Sequence, residues 1–311
     1  MKRLARAFWN PDQRRLRALW RLLLQLALIL LAWWLLGTIA RQLPQTPTVE
    51  LIVPLLPPLV AMLVVWLASA LLDRRRVVDL GLRLDRSWWA DFAFGLVLGA
   101  GLMTAVFAVA GTAGWITFGT APVLTVAIRP AALAVALMFV DSAVLASGEE
   151  LVFRGYQMRN LAEGLNLRAL GPRAALMLGL VLTSVFFAAL HLPDPNAATL
   201  STLNSFLGGL LFGVAFACTG RLGLPIGLHL AWNFTQGSVF GFPVSGNAPR
   251  AALLNLDELG HDLWTGGAYG PEGGLLGTAA LAAAIPLTLG WIRLYSGSLG
   301  LKIPLAQYHR L

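Results

Sequence analysis

The composition of this chain of 311 residues is that of a protein embedded in a membrane. Hydrophobic residues make up 57% of it and charged residues only 12%, and the mean hydropathy is +0.71, which excludes a soluble domain of this length. The formal net charge of +8 does not indicate nucleic-acid binding, because the basic residues lie in short clusters between apolar segments. The single cysteine, Cys218, permits no intrachain disulfide.

The first segment, residues 1–21, is basic and aromatic, and we expect it to lie on the anionic surface of the membrane. Eight apolar runs follow that are long enough to cross a bilayer, for which about 20 residues are needed. They lie at about 22–40, 51–72, 91–112, 124–148, 174–190, 200–219, 224–241 and 274–295. The sequence therefore predicts an all-α polytopic transmembrane bundle of about eight helices.

The connecting loops predict how this bundle is oriented. If the N-terminus is cytoplasmic, arginine occurs in each of the inside loops, 73–90, 149–173 and 220–223. The basic residues of the outside loops are Arg41, Arg129 and Arg250. By the positive-inside rule we therefore expect a multi-pass protein of the inner (plasma) membrane with both termini in the cytoplasm.

Three groups of polar residues interrupt the apolar runs, and ionisable groups in membrane helices are costly enough to indicate function. The first group is Glu149, Glu150 and Arg154. On a helix Glu150 and Arg154 face each other, whereas Glu149 is turned about 100° away from Glu150. The group therefore divides into an ion pair and a free carboxylate, unless the helix ends here at the cytoplasmic interface, where all three side chains would be solvated.

The other two groups contain histidine. Phe187 and His191 share one helical face, and Pro193 stops the helix just beyond them. His229 and Asn233 are again four residues apart and face the same way. Each group also has a structural explanation, because a histidine at a helix end can satisfy a carbonyl group, and histidine and asparagine can link helices by hydrogen bonds.

Together the three groups supply a carboxylate, two imidazoles and an amide to a bundle that is otherwise apolar. A carboxylate with an imidazole can activate a water molecule, and an imidazole with an amide can donate hydrogen bonds to a developing oxyanion. This combination indicates the hydrolysis of an acyl bond in a polar intramembrane cavity, which would also keep the charges away from lipid.

The spacing of these residues resembles that of a known family, the CPBP (Abi) family of intramembrane glutamic endopeptidases, which includes CAAX prenyl endopeptidases and bacteriocin-processing or immunity proteins. The motifs, in chain order, are EExxxR at 149–154, FxxxH at 187–191 and HxxxN at 229–233. The resemblance implies that Glu149 and His191 activate the water and that His229 and Asn233 hold the oxyanion. The residues that it implies in supporting roles are Glu150, Arg154 and Phe187.

On this basis we expect five segments in the chain. They are the surface segment at 1–21, N-terminal transmembrane helices at 22–123, a catalytic CPBP-like core at 124–241, an irregular and exposed extracytoplasmic loop at 242–273, and a last helix with a cytoplasmic tail at 274–311. The expected partners are the lipid bilayer and a membrane-associated peptide or protein substrate, with neither a cofactor nor a metal. The Arg-, Leu- and Ala-rich sequence is typical of bacteria, in which a prenylated substrate is not expected.

The helix lengths raise a geometric problem for this site. If the helix beginning at 174 runs outward, His191 lies about 25 Å along it, whereas Glu149 and His229 lie near the cytoplasmic ends of their helices. Either the helix that carries Glu149 extends past it, so that the site lies at mid-depth, or the helices around Pro193 are short, tilted or broken. We expect a sunken site that is open to the cytoplasm.

Two other functions remain open. A zinc-dependent membrane metallopeptidase would use Glu149, His191 and His229 as a set of two histidines and one carboxylate, although the chain has no HExxH motif and Asn233 would have no evident place among the ligands. A non-catalytic immunity or scaffold protein would bind a peptide without cleaving it, and its function would survive the loss of Glu149.

Overall fold

The computed structural model describes residues 7–44, 46–125 and 130–308, and they form a bundle of helices. Residues 1–6 of the predicted surface segment and Arg129 of the predicted outside loops lie outside these ranges. The helices are α1 (Ala18–Ala40), α2 (Pro47–Ile52), α3 (Leu56–Leu71), α4 (Arg86–Thr112), α5 (Ala131–Glu150), α6 (Arg159–Leu165), α7 (Gly171–Leu190), α8 (Thr199–Thr219), α9 (Gly223–Phe234), α10 (Asp262–Thr265) and α11 (Leu275–Ser296).

Seven helical segments in the described part of the chain are long and apolar enough to cross a membrane. They are α1, α2 with α3, α4, α5 with α6, α7, α8 and α11. The predicted polytopic all-α bundle is therefore confirmed. The remaining predicted run, 224–241, also forms a helix, α9, but each residue from Gly223 to Trp232 is buried. This helix lies in the centre of the bundle, where it contacts protein rather than lipid.

Two pairs of glycines hold α9 against α4. Gly95 and Gly99 on α4 lie against the backbone of α9, and Gly223 and Gly227 on α9 lie against the backbone of α4. A Cβ atom at Gly95 would be 2.5 Å from a carbonyl oxygen of α9, and one at Gly227 would be 2.2 Å from a carbonyl oxygen of α4. Small residues four apart are typical of closely packed membrane helices, and this contact fixes the position of the helix that carries His229 and Asn233.

The helix that carries Glu149 is longer than predicted. Helix α5 continues through π-helical turns at Leu151–Met158 into α6, so Ala131–Leu165 is one helical segment of 35 residues. The prediction of an inside loop at 149–173 is therefore wrong for residues 149–165. The charges near Glu149 do not mark the membrane interface, because Glu150 and Arg154 are paired with each other inside the bundle.

Short antiparallel strands order the loops of the described chain. They are β1 (Trp9–Asn10) with β2 (Arg15–Leu16), β3 (Ile116–Phe118) with β6 (Leu256–Glu258), and β4 (Val123–Leu124) with β5 (Ala251–Ala252). In the β3–β6 pair Ile116 lies opposite Glu258. The last two pairs tie the loop 242–273 to the connection between α4 and α5, and Ala251 and Ala252 are fully buried. The prediction that this loop is irregular and exposed is therefore wrong for its strands.

The two ends of the bundle differ in charge. The end at which α1, α4, α7 and α9 begin is called the basic face. The opposite end, which carries the loop 242–273, is called the loop face. The basic residues of the described chain at the basic face are Arg14, Arg15, Arg17, Arg21, Arg74, Arg75, Arg76, Arg83, Arg86, Arg159, Arg168, Arg173, Arg221, Arg293 and Lys302. Those at the loop face are Arg41 and Arg250. Arg154 lies between the two faces.

A buried ion cluster closes the basic face. Glu163 on α6 accepts hydrogen bonds from Arg15 at 2.8 Å and from Arg75 at 2.5 Å. Arg21 pairs with Asp73, and at most 3% of each of these side chains is exposed. The cluster links the segment before α1, the end of α3 and the end of α6 to one another at the basic face.

Candidate active site

A cavity of about 620 Å³ enters the bundle from the loop face. Its wall contains all four side chains that were predicted to be catalytic, Glu149, His191, His229 and Asn233. Its mouth lies at 247–250, in the loop 242–273. The structure therefore brings together three helices, α5, α7 and α9, whose site residues are up to 84 positions apart in the sequence.

The two adjacent glutamates have different surroundings, as the helical spacing predicted. Glu150 is fully buried, and its Oε1 atom is 2.9 Å from Nη1 of Arg154. Arg154 also donates to the carbonyl oxygen of Gly209 on α8 at 3.2 Å. The side chain of Glu149 is 27% exposed and faces the cavity. The ion pair is thus present, and Glu149 is the carboxylate that a substrate can reach.

His229 links the two glutamates. Its Nδ1 atom is 3.0 Å from Oε1 of Glu150, and its Nε2 atom is 3.9 Å from Oε2 of Glu149. Because Oε1 of an ionised carboxylate can only accept, Nδ1 of His229 carries the proton in this hydrogen bond. The bond between His229 and Glu150 was not predicted, because no local spacing relates residues that are 79 positions apart.

His191 stands at the C-terminal end of α7, where the chain turns away before Pro193. Its Nδ1 atom is 2.7 Å from the carbonyl oxygen of Phe187, so Nδ1 donates and Nε2 of the neutral ring is left as an acceptor. The structural explanation of this histidine is thus correct for one ring nitrogen. The other nitrogen remains available, and the partly exposed ring lines the cavity.

Aromatic rings enclose the buried arginine. The guanidinium carbon of Arg154 lies 4.7 Å from the ring centroid of Phe187 and 5.1 Å from that of Phe212. Phe212 also stacks on His229, with centroids 5.0 Å apart. Phe187, for which a supporting role was expected, thus contacts the guanidinium group of Arg154. Phe212 was missed, because a phenylalanine in an apolar helix gives no signal that separates it from the core.

The helix lengths now explain how His191 and Glu149 reach one cavity. The helical segment of Glu149 continues to Leu165, which places Glu149 about 24 Å from its basic-face end. The first of the two alternatives, a helix that extends past Glu149 and a site at mid-depth, is therefore correct. The cavity is lined at one end by residues of the loop face, from Val244 to Arg250, so the expected opening towards the cytoplasm would require that the loop face be cytoplasmic.

Polar residues at the mouth hold the loop 242–273 in place. Arg250 donates to Oδ2 of Asp141 on α5 at 2.5 Å, two helical turns above Glu149. Glu272 accepts from the backbone N–H of Ser245 at 2.5 Å, and burial raises the pKa of its carboxyl group. Asn204 on α8 donates to the carbonyl oxygen of Glu272 at 2.8 Å. These contacts fix the wall of the cavity that faces Glu149.

A second, smaller hollow also reaches Glu149. It has a volume of about 190 Å³, lies between α1, α3, α5 and α7, and is lined almost entirely by apolar side chains. Leu145 and Glu149 belong to the walls of both hollows. Glu149 is therefore accessible from the polar cavity and from an apolar space at the side of the bundle.

The zinc hypothesis requires a ligand set of suitable geometry. Among the described residues, no group of three or more histidine, cysteine, aspartate or glutamate side chains is arranged to hold a metal ion. Glu149, His191 and His229 all line the cavity without forming such a group.

Comparison with known proteins supports the resemblance that the motifs indicated. Residues 130–235 match the model of a family described as type II CAAX prenyl endopeptidase Rce1-like, and the match contains all three motifs. No curated protein and no solved structure matches the chain. Residues 130–235 are therefore similar to the CPBP family, and the match indicates a CAAX-type intramembrane protease.

Proposed function

We propose that this protein is an intramembrane endopeptidase that hydrolyses a peptide bond of a membrane-associated protein or peptide. One observation carries the proposal: of two adjacent glutamates, Glu150 is neutralised by Arg154, while Glu149 faces a cavity that also contains two histidines and an asparagine. The apolar hollow beside Glu149 supports a substrate that is itself associated with the membrane.

The first part of the mechanism is the activation of water. Glu149 is partly exposed in the cavity, and His191 offers Nε2 as an acceptor because its Nδ1 atom donates to Phe187. A water molecule held between these two groups would lose a proton to Glu149 as it attacks the carbonyl carbon of the substrate. The same carboxylic acid could then return the proton to the leaving amine.

The second part is the stabilisation of the oxyanion. Asn233 lies one helical turn beyond His229 on α9, and both side chains line the cavity. The amide of Asn233 is a donor in every protonation state. Nε2 of His229 donates when the ring carries both protons, and in that form each N–H has a glutamate nearby. Two donors beside the scissile carbonyl form an oxyanion site.

The remaining residues orient these groups. Arg154 and His229 both bind Oε1 of Glu150, so Glu150 fixes the ring of His229 as a carboxylate fixes a catalytic histidine in other hydrolases. Phe187 supports this arrangement, because its ring lies against Arg154 and His191.

The proposal is tested by comparing peptide termini in cells that express the wild type or the Glu149→Gln variant. New termini should appear with the wild type and be absent with the variant. The matched control is Asp257→Asn, which makes the same acid-to-amide change at an exposed position of the loop face and should preserve them. Identical termini in all three strains would show that no cleavage depends on Glu149 and would contradict the proposal.

A further inference from the structure

We infer that the catalytic cavity faces away from the cytoplasm and receives its substrate from the extracytoplasmic side of the membrane. The claim that the cavity receives a substrate rests on the proposed function. The direction of the cavity follows from charge and geometry alone. The expected substrate is accordingly an exported peptide or the extracytoplasmic segment of a membrane protein.

The first step is the asymmetry between the two faces. Lysine and arginine near the ends of membrane helices stay in the cytoplasm, and the basic residues of the described chain are concentrated on the basic face. At the loop face Arg41 and Arg250 are the described basic residues. Arg250 is moreover paired with Asp141 at 2.5 Å.

The asymmetry does not come from the buried ion cluster. Arg15, Arg21 and Arg75 form ion pairs with Asp73 and Glu163, so their role at this face is structural. The exposed arginines of the same face include Arg74, Arg76, Arg83, Arg86, Arg168 and Arg173. These side chains alone outnumber the basic residues at the loop face, so the orientation does not depend on how the cluster is counted.

The second step is the path between the catalytic side chains and water. The cavity that contains Glu149 is bordered by Asp194, Ser245 and Arg250, all of which lie at the loop face. Towards the basic face, the helix of Glu149 is packed in the core, where Tyr156 and Met158 have no exposed surface. A peptide in water therefore reaches Glu149 from the loop face.

The third step concerns the kind of peptide that fits. Four carboxylates line the cavity, those of Asp141, Glu149, Asp194 and Glu272. Arg250 is the arginine among the lining residues, and it is already paired with Asp141. An acidic segment would be repelled at short range, so the cavity favours a neutral or basic peptide.

The direction is tested by cysteine labelling in intact cells. In a Cys218→Ser background, a single cysteine replaces either Asn247, which is exposed at the mouth of the cavity, or Arg76, whose side chain is 65% exposed on the basic face. A maleimide that cannot cross the membrane should modify the Asn247→Cys variant in intact cells. It should modify the Arg76→Cys variant only after permeabilisation. The opposite pattern, or labelling of both variants in intact cells, would overturn the inference.

The labelling is then repeated with Glu149→Gln added, which separates this inference from the proposed function. An unchanged pattern supports the direction whether or not the protein is a protease.

A second arm uses a water-soluble basic fluorogenic peptide with vesicles of defined sidedness. Right-side-out vesicles should cleave it at least about tenfold faster than inverted vesicles. Faster cleavage by inverted vesicles would contradict the inference.

Discussion

Glu150 and Arg154 illustrate how a charged pair can be retained inside an apolar bundle. Each is almost completely buried, and Arg154 has the carboxylate of Glu150, a carbonyl oxygen of α8 and the faces of two aromatic rings as partners. Removing one member of such a pair leaves the other charge without compensation. The consequence should be seen in stability as well as in activity.

We therefore predict that Arg154→Ala lowers the free energy of unfolding by about 3–5 kcal/mol, with a lower folded yield in detergent. Arg173→Ala, which removes an exposed arginine of the basic face, should have little effect. Thermal unfolding of the two purified variants measures the difference. If Arg154→Ala has the thermal stability and the activity of the wild type, Arg154 has no part in the site.

Asn233 should affect turnover and leave folding intact. We predict that Asn233→Ala lowers kcat by roughly 10²–10³-fold, as the loss of one oxyanion donor does in other enzymes. Because the donor acts on the transition state, KM should change much less. A change in KM alone, or a loss of thermal stability that accounts for the lost activity, would count against the oxyanion assignment.

Glu272 should make stability depend on pH. Burial raises the pKa of its carboxyl group above the ordinary value of 4.5, so the folded state holds this proton more tightly than the unfolded state. The stabilisation is fully present below about pH 4.5 and is lost as the pH rises through the folded pKa. Glu272→Gln imitates the protonated group, so its unfolding temperature relative to the wild type should increase with pH. A constant difference would show that Glu272 does not titrate in this way.

At the scale of the helices, hydrophobicity predicted most of the elements because it is a local property of the sequence. All eight apolar runs form helices, and the division between Glu149 and Glu150 followed from the helical repeat alone. The end of the helix at Glu149 was predicted wrongly, because two acids and an arginine resemble a helix end at the interface. Besides the pairing of Glu150 with Arg154, their partners are Gly209 and His229, which are distant in sequence and give no local signal.

The packing of α4 against α9 provides a prediction at this scale. Gly95→Ala would place a Cβ atom 2.5 Å from a carbonyl oxygen of α9, whereas a Cβ atom at Gly101 on the same helix has nothing within 4 Å. Gly95→Ala should therefore lower both the unfolding temperature and the activity, because α9 carries His229 and Asn233. Gly101→Ala should preserve both. Equal behaviour of the two variants would show that this contact does not position the site.

At the scale of the whole molecule, the two faces could be predicted only in part. The basic clusters predicted which segments share one end of the bundle, since charge can be read directly from the sequence. The direction of the cavity could not be read in this way, because it depends on the depth of Glu149 and on the loop 242–273 forming the mouth. That loop is ordered by the pairing of β3 with β6 and of β4 with β5. Strands this short in a polar segment could not be predicted from the sequence.

The most direct test of the account compares the purified wild type and Glu149→Gln, reconstituted in liposomes, on a peptide that the wild type cleaves. Because the amide keeps the shape of the side chain and cannot act as a base, we predict that cleavage falls by at least roughly 10²–10⁴-fold. The wild type should retain its activity in the presence of a chelator. A comparable rate for the two proteins would contradict the glutamate mechanism, and inhibition by the chelator that zinc reverses would replace it with the metallopeptidase alternative.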